Sequence, residues 1–369
     1  YLQYNDTRML AEHYDAMKSY IDYLVEYIDP LTGIMTEGNL GDWLGPEQER
    51  NDNTLLWEAY FIYDLELMLR VATVLNKKED AVWFDKLYGE RKEFFNKTYF
   101  DPVTGHTVHS GFMQPERKGE LVGTQTSYLL PLAFDICDEE IRSLVIQRLM
   151  ERIENESPQD GAGIYPPYSL MTGFIGTAWI NRVLSDLGYS DAAYRLLQQT
   201  SYPSWLYSVE QGATTIWERL NSYTKEHGFS GNNSMNSFNH YSFGAIGSWM
   251  YNHSLGIERD DNYPGFKHFV LQPKPDPTGQ MTSAKGFYES MYGRIESGWE
   301  VKGDICSYTF HVPANTTATL YLQAAGKDMV REGNKPLESS AFIRILGEEN
   351  GKVIMRLQSG QYTFNVVTG

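Results

Sequence analysis

Apolar positions in the first 257 residues recur with helical spacing. Across residues 7–28 they fall three and four positions apart, and Asp29-Pro30 follows as a stop signal. The same spacing predicts further helices, joined alternately by short and long connections. The predicted helices cover residues 7–28, 52–76, 79–98, 124–136, 139–155, 170–187, 191–200 and about 237–255. Helical hairpins with long loops at alternate connections predict an (α/α)6 toroid whose long loops gather on one face and form a pocket.

The number of predicted helices is too small for a closed toroid. Six hairpins require about twelve helices, whereas the pattern predicts about eight. The first predicted helix also lacks a preceding partner. We therefore expect the N-terminal helices of the toroid to lie outside this sequence.

The pattern changes from helical spacing to alternation after Gly256. Several prolines between residues 264 and 277 break the helical period, and short alternating runs separated by turn signals follow. The predicted strands cover residues 268–272, 281–290, 293–302, 305–312, 317–323, 342–347, 352–357 and 362–367. This spacing predicts an antiparallel β-sandwich. We expect two domains, a partial (α/α)6-barrel catalytic domain at 1–257 and a C-terminal β-sandwich at 258–369.

The composition of the chain excludes several classes of partner and cofactor. The formal net charge is −17, which argues against nucleic acid and anionic membrane surfaces as partners. No apolar run approaches the length of a membrane span. The two cysteines form no CxxC or Cys/His cluster, so neither a metal nor another cofactor is predicted. Aromatic residues make up 14% of the chain, more than a core alone requires, which suits stacking on sugar faces, although a lineage rich in tyrosine would give the same figure.

The strongest candidate for chemistry is Glu218, between Trp217 and Arg219. Residues 214–216 favour an extended conformation, which places Glu218 at the end of a short extended run. An indole can desolvate a neighbouring carboxylate, and a guanidinium can hold it ionised. The alternative is a structural Glu–Arg pair.

Six segments in fixed order carry a family resemblance. They are GDWL, QTSYLLPLAFDI, LMTGFIGTAWINRVLSDLGYSDAAYRLL, YPSWLYSVEQGATTIWERLNS, MNSFNHYSFGAIGSWMYNHSLGI and VPANTTATLYL. Together they resemble bacterial α-L-rhamnosidases of glycoside hydrolase family 78. The resemblance covers essentially the whole chain, and WER, SFNHY and VPANTTA are its most specific parts.

The resemblance implies hydrolysis of terminal α-L-rhamnose from oligosaccharides or glycosides, with inversion at the anomeric carbon. It implies Glu218 as general base, His240 as a contact to a sugar hydroxyl, Trp43 as a wall of the sugar subsite and Asp42 as polar support. The family's general acid lies in an REER…GWTGD segment that nothing here reproduces. We expect that acid on the absent N-terminal remainder of the same enzyme.

Structural alternatives stand beside these roles. His240 also fits a structural histidine at a helix start, Trp43 a core residue, and Asp42 an Asx turn in a glycine-rich loop. Trp217 is a further candidate for the substrate pocket, although packing is the simpler interpretation of its ring. Tyr241 follows helical spacing and is assigned to the core.

Three hypotheses on function remain open at this point. The first is an α-L-rhamnosidase, the second a related toroid glycosidase with another sugar specificity, and the third a carbohydrate-binding remnant without catalysis. We expect a periplasmic or secreted location.

Overall fold

The computed structural model describes residues 1–38, 40–112, 114–159, 163–229 and 233–367. Their backbone contacts form two compact units. One consists of residues 10–245, and the other joins residues 1–9 to residues 246–369. The domain boundary expected between residues 257 and 258 remains a prediction.

The first unit is built mainly from helices. They are α1 (Arg8–Glu26), α2 (Asn53–Val74), α3 (Lys78–Tyr99), α4 (Gln125–Ala133), α5 (Glu139–Glu154), α6 (Phe174–Thr177), α7 (Ile180–Asp186), α8 (Ser190–Gln198) and α9 (Trp205–Glu210). The predicted bounds of α1 to α5 and of α8 agree closely with these. Helix α9 was not predicted; its N-cap is Ser204, whose hydroxyl accepts from the Tyr207 amide at 3.1 Å.

Two predicted helices are wrong in their first turns. The helix expected from residue 170 begins only at Phe174 and is broken between α6 and α7. The helix expected from about residue 237 begins with a 3₁₀ turn at Ser242–Ala245, continues as α10 (Ile246–Trp249) and ends in a π turn. In both cases the preceding residues make tertiary hydrogen bonds that replace helical ones, as described for the candidate site below.

Two loops predicted without regular structure contain short hairpins. Strands β1 (Ser157–Gln159) and β2 (Gly163–Tyr165) pair within the loop after α5. Strands β3 (Tyr223–Thr224) and β4 (Gly228–Phe229) pair shortly after Glu218. The expectation that strands occur only after the helices is therefore wrong in detail.

The second unit is a β-sandwich, as predicted. Its strands are β5 (Ile257–Arg259), β6 (His268–Leu271), β7 (Ser283–Ser290), β8 (Gly293–Lys302), β9 (Ile305–Val312), β10 (Thr317–Gln323), β11 (Val330–Glu332), β12 (Lys335–Pro336), β13 (Ile343–Glu349), β14 (Lys352–Leu357) and β15 (Gly360–Val367). One sheet has the order β13-β14-β10-β6-β5 and the other β12-β11-β15-β9-β8-β7. Buried side chains of both sheets, such as Leu320 and Phe364, share one apolar core.

One strand pair departs from the predicted antiparallel pattern. Strands β6 and β10 run parallel, with His268 opposite Thr317. The strands β5, β11 and β12, of two or three residues each, were not predicted because they are too short to show alternation. Among the described residues, no helix combines the length and apolarity needed to cross a membrane.

Candidate functional site

Glu218 and His240 lie on two chain segments that run side by side. The Glu218 amide donates to the Ser237 carbonyl at 2.8 Å, and the His240 amide donates to the Ile216 carbonyl at 2.9 Å. The Ser237 amide in turn donates to Oε2 of Glu218 at 3.0 Å. These bonds explain why residues 237–240 are not helical, and they bring the predicted base and the predicted sugar contact together.

The Glu218 carboxylate is half-exposed and only partly bonded. Oε2 is held by Ser237, while Oε1 has no hydrogen-bond partner among the residues that the structure describes. Arg219 donates Nη2 to the Asn236 side chain and its amide to the Ser222 hydroxyl at 3.3 Å. Arg219 thus braces the segment that carries Ser237.

Trp217 lies behind Glu218, in an aromatic cluster. Its ring is 7% exposed and packs edge-on against Phe238, with centroids 5.2 Å apart, and against Tyr223. Phe229 completes the cluster by contacting Phe238 and Tyr223. This burial supports the packing interpretation of Trp217 over the substrate pocket.

The His240 ring is stacked with two aromatic rings. The Phe174 ring lies 4.8 Å from it and the Tyr241 ring 5.4 Å, nearly parallel to it. His240 Nδ1 accepts from the Ser242 amide at the long distance of 3.4 Å. A neutral ring that accepts at Nδ1 carries its proton on Nε2, which is then a donor for a hydroxyl.

Tyr241 is not a core residue, contrary to the sequence prediction. It is 86% exposed, because the segment just before Ser242 is not helical and does not present its side chains with helical spacing. Helical periodicity alone therefore did not reveal that an exposed tyrosine ring lies beside His240.

Asp42 is buried, being 1% exposed, and its carboxylate accepts four hydrogen bonds. The donors are the amides of Gly173 at 2.7 Å, Ile175 at 3.0 Å and Gly176 at 3.0 Å, together with the Thr126 hydroxyl. Asp42 therefore caps the start of α6, which explains why that helix begins only at Phe174. Burial raises the pKa of the Asp42 carboxyl, and the four donors oppose that shift.

The Asp42 cap also fixes the position of Trp43. The Phe174 amide donates to the Trp43 carbonyl at 3.0 Å. A Cβ added to Gly173 would lie 2.3 Å from the Asp42 carbonyl oxygen, so only glycine permits this approach. Asp42 thus acts by positioning the Trp43 loop and the Phe174 ring beneath His240, and its buried oxygens do not suit direct contact with a sugar.

Trp43 is partly exposed and lines a cavity of about 330 Å³. The other lining residues come from the loop before α2, from the first residue of α2 and from the segment after α3. They are Leu40, Gly41, Gln48, Glu49, Asn51, Asp52, Asn53, His109, Gly111, Phe112, Gln114 and Arg117. Sequence reasoning found Trp43 but missed the contribution of His109, Gly111, Phe112, Gln114 and Arg117, which lie outside the predicted helices and strands.

Glu47, a further carboxylate near Trp43, is 2% exposed. It accepts from the Gln125 amide at 2.8 Å and pairs with Arg152 and Arg50. Burial raises the pKa of Glu47, and the Arg152 charge opposes that shift. Within the described ranges, no three His, Cys, Asp or Glu side chains gather as a metal-binding group.

Known proteins resemble this chain along its length. An α-L-rhamnosidase of Formosa agariphila is 33% identical over 370 residues, covering 99% of this chain and 37% of that protein. The crystal structure of a Streptomyces avermitilis α-L-rhamnosidase complexed with L-rhamnose matches with a TM-score of 0.82 at 30% identity, over 99% of this chain and 32% of that one. The structure of a Dictyoglomus thermophilum α-L-rhamnosidase matches with a TM-score of 0.81 at 28% identity, over 100% of this chain and 38% of that one.

The chain thus spans about a third of the length of these relatives. The family model for the bacterial α-L-rhamnosidase six-hairpin glycosidase domain matches residues 1–254, and the model for the C-terminal domain of the same enzymes matches residues 256–336. On these matches, the chain belongs to the bacterial α-L-rhamnosidase family.

Proposed function

We propose that this chain carries the water-activating half of an inverting α-L-rhamnosidase site, with Glu218 as general base. The main support for this proposal is the environment of the Glu218 carboxylate. It is half-exposed, it is anchored through Oε2 by the Ser237 amide, and it lies beside a segment that bears His240. An anchored carboxylate with one open oxygen is suited to accept a proton from water.

Inversion requires two carboxyl groups about 6.5–9.5 Å apart, with a water between the base and the sugar. Glu218 removes a proton from that water as the oxygen attacks the anomeric carbon. An acid on the opposite face protonates the leaving oxygen. We propose that this acid is supplied from outside this chain, by the N-terminal remainder of the enzyme.

Two buried carboxylates in the Trp43 loop are poor candidates for that acid. Both oxygens of Asp42 are occupied by hydrogen bonds, and Glu47 is held by Arg152 and by the Gln125 amide. A general acid must reach the leaving oxygen within hydrogen-bond distance, which neither side chain achieves from full burial.

The sugar contacts in this proposal are His240 and Trp43. Nε2 of His240 donates to a hydroxyl, and the partly exposed Trp43 ring forms a wall against the apolar face of the sugar. Support for rhamnose as that sugar comes from the Streptomyces avermitilis relative, whose crystal structure is described as a complex with L-rhamnose.

The test is Glu218→Gln in the complete enzyme, with Glu210→Gln as matched control, because Glu210 is an exposed residue at the end of α9. Removing a general base lowers kcat on an aryl α-L-rhamnoside by about 10²–10⁴-fold, with less effect on KM. Added azide should restore part of the turnover and give the β-configured rhamnosyl azide, since it attacks without deprotonation. Near-normal kcat in Glu218→Gln would assign water activation to another carboxylate.

A further inference from the structure

A second cavity lies within the β-sandwich unit and has a volume of about 320 Å³. Its walls come from the first residues of the chain, from α10 and the π turn at Met250–Ser254, from β5 and the segment after it, and from β7. All of these elements belong to that one unit. Among the described residues, none that lines this cavity also lines the cavity beside Trp43.

The π turn forms one wall of the cavity. The Leu255 amide donates to the Met250 carbonyl at 2.9 Å, a bond that spans five residues instead of the four of an α-helix. One extra residue is thereby fitted into the turn, and both Tyr251 and Asn252 line the cavity. Turns of this type within helices are rare and are frequent at functional sites. The Tyr251 ring is 45% exposed and is therefore accessible to a ligand.

Several polar groups of the wall are available for hydrogen bonds. The half-buried Asn252 side chain has no hydrogen-bond partner among the described residues. Nε2 of Gln3 donates to the Tyr288 hydroxyl at 2.5 Å. This bond leaves Oε1 of Gln3 as an acceptor and the Tyr288 proton as a donor. A ligand with hydroxyl groups can bond all three side chains, and half-buried polar groups gain most from such partners.

Two charged residues of the wall offset each other. The Arg259 amide donates to Oε1 of Glu258 at 3.0 Å. Nε of Arg259 donates to Oδ1 of Asp261 at 2.8 Å, so the guanidinium is already paired with a carboxylate. The wall therefore has no unpaired positive charge that would attract an anion, and the net charge of −17 opposes anion binding further. These charges favour an uncharged ligand.

The remaining wall is apolar and leaves open space. The rings of Phe266 and Tyr288 pack together with centroids 4.9 Å apart. Gly247 contributes no side chain, and a Cβ added there would have no atom within 4 Å. A pyranose fits this combination, because its C–H face packs on rings while its hydroxyls both donate and accept. The volume is at the low end for small-ligand sites, which suits one glycosyl unit.

We propose that this cavity is a carbohydrate-binding site of the sandwich unit, which holds one uncharged glycosyl unit. The Tyr251 ring packs on a face of the sugar, and the side chains of Gln3, Asn252 and Tyr288 bond its hydroxyls. The site takes no part in proton transfer. The proposal goes beyond the proposed function and does not rest on it, because Glu218 belongs to the other unit.

The experiment is saturation-transfer NMR on the complete enzyme. L-rhamnose, D-glucose and D-galactose are the uncharged probes, and D-galacturonate is the charged one. Gly247→Leu places a side chain in the open space, and we expect it to remove the cavity's share of the signal for at least one uncharged probe. Tyr251→Ala should weaken that binding about fivefold, whereas Tyr251→Phe keeps the ring and should stay within about twofold. Met250→Ala is the matched control, because Met250 is 38% exposed in the same turn and does not line the cavity.

Thermal unfolding and kcat on an aryl α-L-rhamnoside show whether Gly247→Leu keeps its fold, and both should match the parent enzyme. If the folded variant leaves every probe signal unchanged, the cavity binds no sugar and the proposal is overturned. If Gly247→Leu does not fold, Tyr251→Ala at its exposed position decides the question in the same way. A loss confined to D-galacturonate would overturn the assignment of an uncharged ligand.

The two proposals fail separately. The cavity's share of the signal should persist in Glu218→Gln, whatever that change does to kcat. Near-normal kcat in Glu218→Gln would overturn the proposed function and leave the sugar site of the sandwich intact. Loss of the sandwich site in Gly247→Leu with unchanged kcat on the aryl rhamnoside would support this proposal and leave the assignment of Glu218 untouched.

Discussion

Asp42→Asn is the most informative single change in this structure. It nearly preserves volume but replaces a carboxylate by an amide at a fully buried position. The carboxylate accepts from Ile175 and Gly176 through Oδ1, and from Gly173 and Thr126 through Oδ2. An asparagine can keep its oxygen on the first pair, but it then places an NH₂ group against the Gly173 amide.

The cost follows from those contacts. A hydrogen bond to a charged group contributes about 1.5–3 kcal/mol, and leaving the buried Gly173 donor unsatisfied costs about 1–3 kcal/mol more. Thr126 loses less, because its hydroxyl can rotate and accept from the new amide. Removing a buried charge recovers part of the desolvation cost that raises the Asp42 pKa. We expect a net loss of about 3 kcal/mol in the free energy of unfolding, or roughly 6–12 °C in Tm.

Urea and thermal unfolding followed by tryptophan fluorescence measure this loss. Asp138→Asn is the matched control, because Asp138 is the N-cap of α5 but its exposed side chain makes no capping hydrogen bond. That control should change stability by less than about 0.5 kcal/mol. The affinity for L-rhamnose should also fall in Asp42→Asn, since Trp43 and Phe174 lose their anchor. A loss below about 1 kcal/mol in the free energy of unfolding would contradict the hydrogen-bond energies assigned to Asp42. An unchanged affinity for L-rhamnose would contradict the role of Asp42 in positioning Trp43 and Phe174.

Three further changes test other groups. Burial raises the pKa of Asp64 to about 6, whereas the unfolded chain releases this proton near pH 4. The contribution of Asp64 to stability is therefore fully present below about pH 4, and up to about 3 kcal/mol of it is lost as pH rises through 6. Asp64→Asn should flatten that dependence in urea midpoints at pH 4 and 7, and a parallel pH profile would contradict it. Trp217→Phe should lower the free energy of unfolding by about 1–3 kcal/mol and leave the affinity for L-rhamnose unchanged. Trp43→Phe should weaken that affinity and change the free energy of unfolding little. Ligand titration and urea unfolding measure the two quantities, and the reverse pattern would exchange the roles of the two residues.

Features encoded locally were predictable from the sequence. Periodicity located α1 to α5 and the longer strands, because burial of one face imposes a period on each element. The short WER run singled out Glu218, and the resemblance singled out His240. The structure places these two residues on adjacent segments joined by backbone hydrogen bonds.

Features that depend on distant partners were not predictable. The start of α6 is set by Asp42, which lies more than a hundred residues earlier in the chain. The non-helical conformation around His240 depends on its hydrogen bond to Ile216, so helical periodicity misassigned Tyr241 to the core. The parallel pairing of β6 with β10 likewise depends on which strands become neighbours, and alternation within each strand carries no information about that.

Three buried carboxylates of the loop at residues 41–52 show how a structural carboxylate differs from one that can take part in catalysis. Asp42 holds the start of α6, Glu47 holds the start of α4 together with Arg152, and Asp52 holds Ser110 in the segment after α3. A buried carboxylate is costly unless its oxygens are bonded, so each of these side chains stabilises one arrangement of its distant partner. Glu218 differs because one of its oxygens is bonded and the other has no partner among the described residues. The loop therefore supplies rigidity to the walls of the site, and the half-bonded carboxylate is the one suited to exchange a proton with water.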